Sequence, residues 1–328
     1  MNMKQWAQDV ITSPKRLAIP VMTHPGIEMI GKRVEDAVKC GEVHAQAIIA
    51  LNEKFPADGA TVIMDLTVEA EAFGAHVEFE PDDIPNVIGR LVSSYEEVAA
   101  LEIPDMSAAR IPEYLEANRI VAQTITDKPT FAGCIGPFSL AGRLYDMTEI
   151  MMAIYTEPES AELLLGKCTE FLKRYIGAIK STGVSGVMIA EPAAGLLSNE
   201  DATNYSSRYI REIVEELQDD EFMIILHNCG NTGHCTESMI STGAAALHFG
   251  NKINMVEALK ESPSEIIVMG NLDPVEIFKQ ADSETVAAAT EALLSETKEF
   301  KNFIISTGCD TPPGIPEANI EAFYSKLN

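Results

Sequence analysis

An α/β fold of the closed-barrel class is what this sequence predicts: a (β/α)8 TIM barrel with an extra hairpin or lid excursion after strand 2. Eight short apolar runs, each ended by Gly, Pro or a polar residue, have the make-up of fully buried strands. Amphipathic stretches of helical length lie between them, and strand–helix alternation calls for a parallel sheet. An open doubly wound sheet is the runner-up, and because no run is followed by G-x-G-x-x-G the sequence argues against its Rossmann form.

The first run is LAIPVMT (17–23), followed by a helical stretch over 33–54 and then TVIMD (61–65). FGAHVEFEPDDIPNVIGRLV (73–92) alternates around a Pro-Asp turn and predicts the extra hairpin. With SYEEVAALEIPDMS it makes a long excursion of the kind that builds an active-site rim or lid. Helices over 107–126, 158–182 and 199–218 lead into PTFAGCIG (129–136), GVMIAEP (186–192) and FMIILHN (222–228). AAALHFG (244–250), EIIVMGN (265–271) and NFIISTG (302–308) alternate with helices over 254–261 and 283–299, and 316–327 closes the chain. There is no internal repeat, low-complexity segment or linker, so one domain over 1–328 is the simplest organisation.

Fifty acidic against 24 basic residues give a formal charge of −26. Such a surface repels phosphate backbones and anionic lipid, which excludes nucleic acid and membrane as expected partners. No apolar run approaches the roughly 18 residues of a spanning helix, and the start MNMKQWAQDVITSPKRLAIP lacks an apolar h-region. A cytoplasmic protein is expected. Its six cysteines are then not a disulfide framework. Met147, Met151 and Met152 read as packing residues, and EIVEELQDDE (212–221) as a solvated helix face.

In a barrel the chemistry sits at the C-terminal strand ends. Those ends carry Thr23 and His24, Asp65, Cys134, Glu191, His227 with Cys229, His248, Asn271 with Asp273, and Cys309 with Asp310. Any one of these could be an end-cap or a small buried residue; their accumulation is what points to a site. His227-x-Cys229 is the sharpest piece, because residues two apart on an extended segment face the same side. Cys309, at the last strand's end, falls on the same rim. One imidazole and two thiolates suit Zn2+, with three protein ligands leaving the fourth position open as in catalytic sites. His234 and Cys235 compete for the role but read as the start of the next helix.

HNCGNT (227–232), taken with STGCDTPPGIPEANIEAF (306–323), resembles the zinc-dependent corrinoid methyltransferases of the uroporphyrinogen decarboxylase superfamily. MDLTVEAEAFGAHVEF (64–79), GPFSLAG (136–142) and GNLDP (270–274) fit as well. The resemblance implies a (β/α)8 barrel, zinc on His227, Cys229 and Cys309, and a corrinoid carried by a separate protein. It places Gly136, Phe138, Asn271 and Asp273 on the cofactor side, and makes Glu191 a candidate fourth ligand or proton acceptor. Asp65 matches the acid that ends strand two in the superfamily. The implied reaction sends a methyl group from cobalt to a zinc-bound thiolate, giving a thioether and Co(I), or runs the other way from a methoxylated donor. The match to the decarboxylases proper is poorer. They carry an arginine-rich segment soon after the first strand and need no metal, whereas VMTHPGIEMIG (21–31) has no arginine before Arg33. Two other readings stay open: a metal-independent decarboxylase with Asp65 handling the proton, and a non-catalytic docking subunit with a closed zinc site.

Overall fold

The computed structural model describes residues 1–327. Nine strands form: β1 (Ala60–Thr61), β2 (Val77–Glu78), β3 (Asn86–Val87), β4 (Thr130–Ile135), β5 (Gly186–Ala190), β6 (Met223–Asn228), β7 (Ala246–Phe249), β8 (Ile267–Leu272) and β9 (Phe303–Thr307). Seven of them make one parallel sheet in the order β1-β4-β5-β6-β7-β8-β9. β2 and β3 pair antiparallel as a separate hairpin, where FGAHVEFEPDDIPNVIGRLV predicts one. Helices fill the connections, including Ile111–Thr124, Pro158–Ser181 and Ser283–Glu296. No helix among the described residues is long and apolar enough to cross a membrane.

The sheet is a curled, open, seven-stranded half-barrel, and the closed (β/α)8 TIM barrel expected from the sequence does not form. The strand that fails is the first. Residues 17–23 make a single isolated bridge, Ala18 to Ile305 of β9, and no ladder with β1. Pro20 sits mid-run and has no N–H to donate. Its carbonyl and the Met22 N–H meet the Thr61 hydroxyl (3.3 and 3.4 Å) in place of the β1 backbone. β1 is itself only two residues long, because the chain beyond it bonds to side chains. The Ile63 N–H donates to His44 Nε2 (3.2 Å) and the Met64 N–H to Asp310 Oδ2 (3.1 Å).

Phe131, Met188, Ile225, Ala246, Met269 and Ile304 pack inside the curl. Helix Met3–Thr12 covers one end of it, adding Met3 and Val10 to this cluster, with Trp6 edge-on to Phe131. Fully burying a side chain of Met3's size contributes about 1.5–3 kcal/mol. Side chains alternate along a strand, so the inward rows continue from Ile225 to His227 on β6, from Ala246 to His248 on β7 and from Ile304 to Ser306 on β9. The interior is therefore apolar over most of its depth and polar at the C-terminal strand ends.

Candidate metal centre

One ligand atom each from His227, Cys229 and Cys309 lie within 4.8 Å of one another. β6 and β9 are three strands apart, which in a flat sheet is about 14 Å at the usual strand spacing. The curl and the inward row of side chains close that gap. Cys229 follows β6 directly, and Asn228 turns the chain behind it by accepting from the Gly230 and Asn231 N–H groups (2.9 and 3.0 Å).

Two glycines let the loops meet. A Cβ on Gly250 would sit 2.6 Å from Cys229 Cα, and one on Gly308 would sit 2.5 Å from Asn251 N. Asn271 holds this arrangement by donating to the carbonyls of Gly250 (2.9 Å) and Ile253 (2.8 Å). Asp273 accepts from the Asn251 amide and caps Val275 and Glu276.

The two sulfurs are electrostatically unequal. Hydrogen bonding from the Cys309 thiol, with help from His227, holds Cys229 well below the ordinary thiol range. The same partnership, together with burial, pushes Cys309 up. The pair thus stabilises one negative charge on sulfur.

His227 is oriented from behind. Its Nδ1 lies 2.7 Å from His248 Nδ1, and His248 Nε2 lies 2.9 Å from Ser306 Oγ. The Ser306 hydroxyl donates its single proton to the Ile19 carbonyl (2.7 Å). Ser306 Oγ must therefore accept from His248 Nε2–H. Burial first, and His227 second, hold His248 well below its ordinary range, so it is neutral and its Nδ1 is bare. His227 then donates through Nδ1–H, which leaves Nε2 as the nitrogen available to a metal. Metal-binding histidines are commonly fixed by such a partner on the other nitrogen.

Glu191 ends β5 and its N–H donates to the His227 carbonyl (2.8 Å). Its buried carboxylate caps helix Pro137–Tyr145, accepting from the N–H groups of Phe138 (3.0 Å) and Ser139 (2.6 Å) and from the Ser139 hydroxyl. Burial, opposed by these bonds, pushes its acid up to about 7. A Cβ on Gly136 would collide with this carboxylate. Phe138 is fully buried in the main core.

Asp65 lies in a different network. Oδ1 accepts from the Thr67 N–H (3.0 Å) and hydroxyl (2.7 Å); Oδ2 accepts from Arg110 (2.5 Å) and Tyr114 (2.8 Å). His24 stands 3.8 Å from Asp310, and neither ring nitrogen has a hydrogen-bond partner among the described residues. Cys134 is buried, and burial pushes its thiol well up. His234 and Cys235 stay outside the cluster. His234 meets the Leu197 carbonyl, and Cys235 lies against those of Ala194 and Leu197.

Sequence reasoning missed Arg110, Tyr114, Ser306, Gly250 and Gly308, and gave His248 a place without a role. Pairing register carries His248, because it is the β7 residue directly opposite His227.

Relatives of this chain include proteins of two activities. Methylcobamide:CoM methyltransferase MtbA of Methanosarcina acetivorans is 27% identical over 268 residues, which is 80% of this chain and 77% of that protein. Uroporphyrinogen decarboxylase of Alcanivorax borkumensis is 25% identical over 303 residues, 89% of this chain and 84% of that protein. Among solved structures, a methyltransferase from Methanosarcina mazei shares the fold with a TM-score of 0.90 at 20% identity, covering 100% of this chain and 98% of that one. A B12-independent methionine synthase from Shewanella sp. W3-18-1 shares it more distantly (TM-score 0.58, 13% identity, 88% and 86% covered). The sequence model of one family, Uroporphyrinogen decarboxylase (URO-D), matches residues 10–327, and the chain belongs to that family.

Proposed function

We propose that this chain is a zinc- and corrinoid-dependent methyltransferase. It moves a methyl group from a methyl-corrinoid, carried by a partner protein, to a small thiol. The observation that carries this reading is the convergence of one imidazole and two thiols at the C-terminal rim of the sheet. That donor set fits zinc: borderline-soft ligands, three in number, with one position left for a substrate. His227 through Nε2, Cys229 and Cys309 hold the metal. Zinc there supplies a Lewis acid that keeps an incoming thiol deprotonated and nucleophilic at neutral pH. The chain's own part is positional. His248 and Ser306 fix the imidazole, Gly250 and Gly308 let the sulfurs meet, and Asn271 and Asp273 brace the loops that carry those glycines.

The decarboxylase alternative lacks its arginine-rich segment. Segment 21–31 has no arginine, and the guanidinium of Arg33 is tied to Asp82 at the surface. The deciding experiment is methyl transfer from methylcobalamin to a panel of thiols, with and without a chelator. Thioether formation that stops on chelation and returns with zinc is the expected result. Transfer indifferent to the chelator refutes the zinc reading.

Two variants test the positional roles. His248→Leu is expected to weaken zinc retention about 10- to 100-fold, the usual cost of losing a partner behind a ligand. His248→Gln, whose amide can still accept from His227, is expected to recover part of it. Equal zinc affinity in the wild type and the Leu variant removes His248 from the site. Glu191→Gln puts an NH2 group where the carboxylate now accepts from helix N–H groups. It is expected to keep about one zinc per chain while turnover falls by up to about 100-fold, the cost of an ångström-scale misplacement near the reacting atoms. Normal turnover would show that Glu191 only caps the helix.

A further inference from the structure

Cys309 reaches the cluster from loop 308–311, which follows β9 and is pinned at both ends. The Gly308 N–H donates to the Leu272 carbonyl (2.7 Å) and the Thr311 N–H to the Val21 carbonyl (3.1 Å). Between these points Asp310 ties the loop down through its carboxylate. Oδ2 accepts from the Met64 N–H (3.1 Å), beyond the end of β1. Oδ1 is buried, has no hydrogen-bond partner among the described residues, and lies 3.8 Å from His24 Nδ1. A buried carboxylate oxygen that accepts no N–H needs a countercharge. His24 is the one basic group within ion-pair distance of Asp310 among the described residues.

His24 cannot back away from that contact. It opens helix His24–Met29, where a Cβ on Gly26 would run into the Ala47 carbonyl, so the helix lies directly on helix Gly41–Lys54. His44 of that second helix holds the neighbouring N–H, that of Ile63 (3.2 Å). Burial holds His44 down to about 4, so it is neutral and brings no charge to Asp310. Burial also opposes a charge on His24, but Asp310, the Thr311 backbone and Asp83 outweigh it and hold that ring above its ordinary range.

We infer that His24 and Asp310 are positioning residues for the metal centre: His24 fixes the Asp310 carboxylate, and Asp310 anchors the loop to Met64 so that the Cys309 sulfur faces the metal. This rests on the zinc reading. In this role His24 acts only through Asp310. The pair does for one sulfur what His248 and Ser306 do for the imidazole, and each protein ligand farthest from its own strand's ladder then has a support behind it.

The test is zinc affinity, by competition with a chromophoric chelator, in wild type, His24→Leu, Asp310→Asn and Cys309→Ser, and in Cys309→Ser combined with each of the first two. His24→Leu is expected to weaken zinc about 10- to 100-fold, the usual cost of losing a partner behind a ligand. Asp310→Asn keeps the shape and the acceptor for Met64 and should fall toward the lower end of that range; it decides the matter should the Leu variant not fold. In the Cys309→Ser background neither change should weaken zinc further, because the route they share is already gone. Cobalt in place of zinc gives a second readout: sulfur-to-cobalt absorption in His24→Leu should drop toward that of Cys309→Ser. Wild-type affinity in both His24→Leu and Asp310→Asn overturns the inference and leaves the zinc reading standing. An equal loss with and without Cys309 also overturns it, making the pair a general support of the fold. Wild type that binds no zinc rejects the metal centre and this inference together.

Discussion

Cys309→Ser protein is expected to lose its zinc on dialysis against a chelator that leaves the wild type loaded, and to transfer methyl only at background rate. Four-ligand zinc sites bind with about 10–16 kcal/mol, so one ligand accounts for roughly 3 kcal/mol, or about two orders of magnitude in affinity. Serine cannot replace the thiolate, because its hydroxyl keeps its proton and oxygen is a harder donor than sulfur. Cys229→Ser should behave in the same way. Cys235→Ser is the control: its sulfur lies against the carbonyls of Ala194 and Leu197, away from the cluster, and its zinc content should match wild type. Metal content per chain, measured after dialysis, decides the matter. Full zinc in both the Cys229 and Cys309 variants, or loss in the Cys235 control, would show that the ligands have been misassigned.

Much of this site was legible before any coordinates, for a local reason. His227 and Cys229 are two residues apart at a strand end, and a period of two puts them on one side whatever the rest of the fold does. Strands such as FMIILHN and NFIISTG were legible because parallel strands buried on both faces read as unbroken apolar runs. Closure of the barrel was not. LAIPVMT has strand composition, but Pro20 and the side-chain bonds of Thr61 decide that it bridges β9 at one point instead of laddering on both sides. Residues whose role depends on a distant partner were equally hidden. His248 matters because register sets it opposite His227, and Ser306 because β9 brings its hydroxyl to the far nitrogen of that same ring. Gly250 and Gly308 look like ordinary turn residues until Cys229 and Asn251 are seen to occupy the space of their missing side chains.

The largest stability effect is expected away from the metal, at Arg110. Its guanidinium binds Asp65 (2.5 Å), Glu71 (2.6 Å), the Thr67 hydroxyl (2.8 Å) and the Val38 carbonyl (3.2 Å), and the Asp65 side chain is fully buried. Arg110→Met removes the cation and leaves that carboxylate charged and dry, which typically costs about 3–5 kcal/mol. For a chain of this length the melting temperature should fall by roughly 4–7 °C. Adding Asp65→Asn should return part of the loss, since the stranded charge is then gone; the two residues are in contact and their effects should not add. A further consequence separates this network from a purely structural one. Arg110 also stacks over Phe79 (4.8 Å), the residue that follows β2 in the hairpin, and Val87 and Gly89 of that hairpin line a cavity together with Leu66, which precedes Thr67. Loosening Arg110 should therefore raise the KM for the thiol while zinc content stays at the wild-type level. An unchanged melting temperature in Arg110→Met would show that Asp65 is not held as a buried anion. A lowered one with an unchanged KM would show that the hairpin keeps its place over the cavity without help from Arg110.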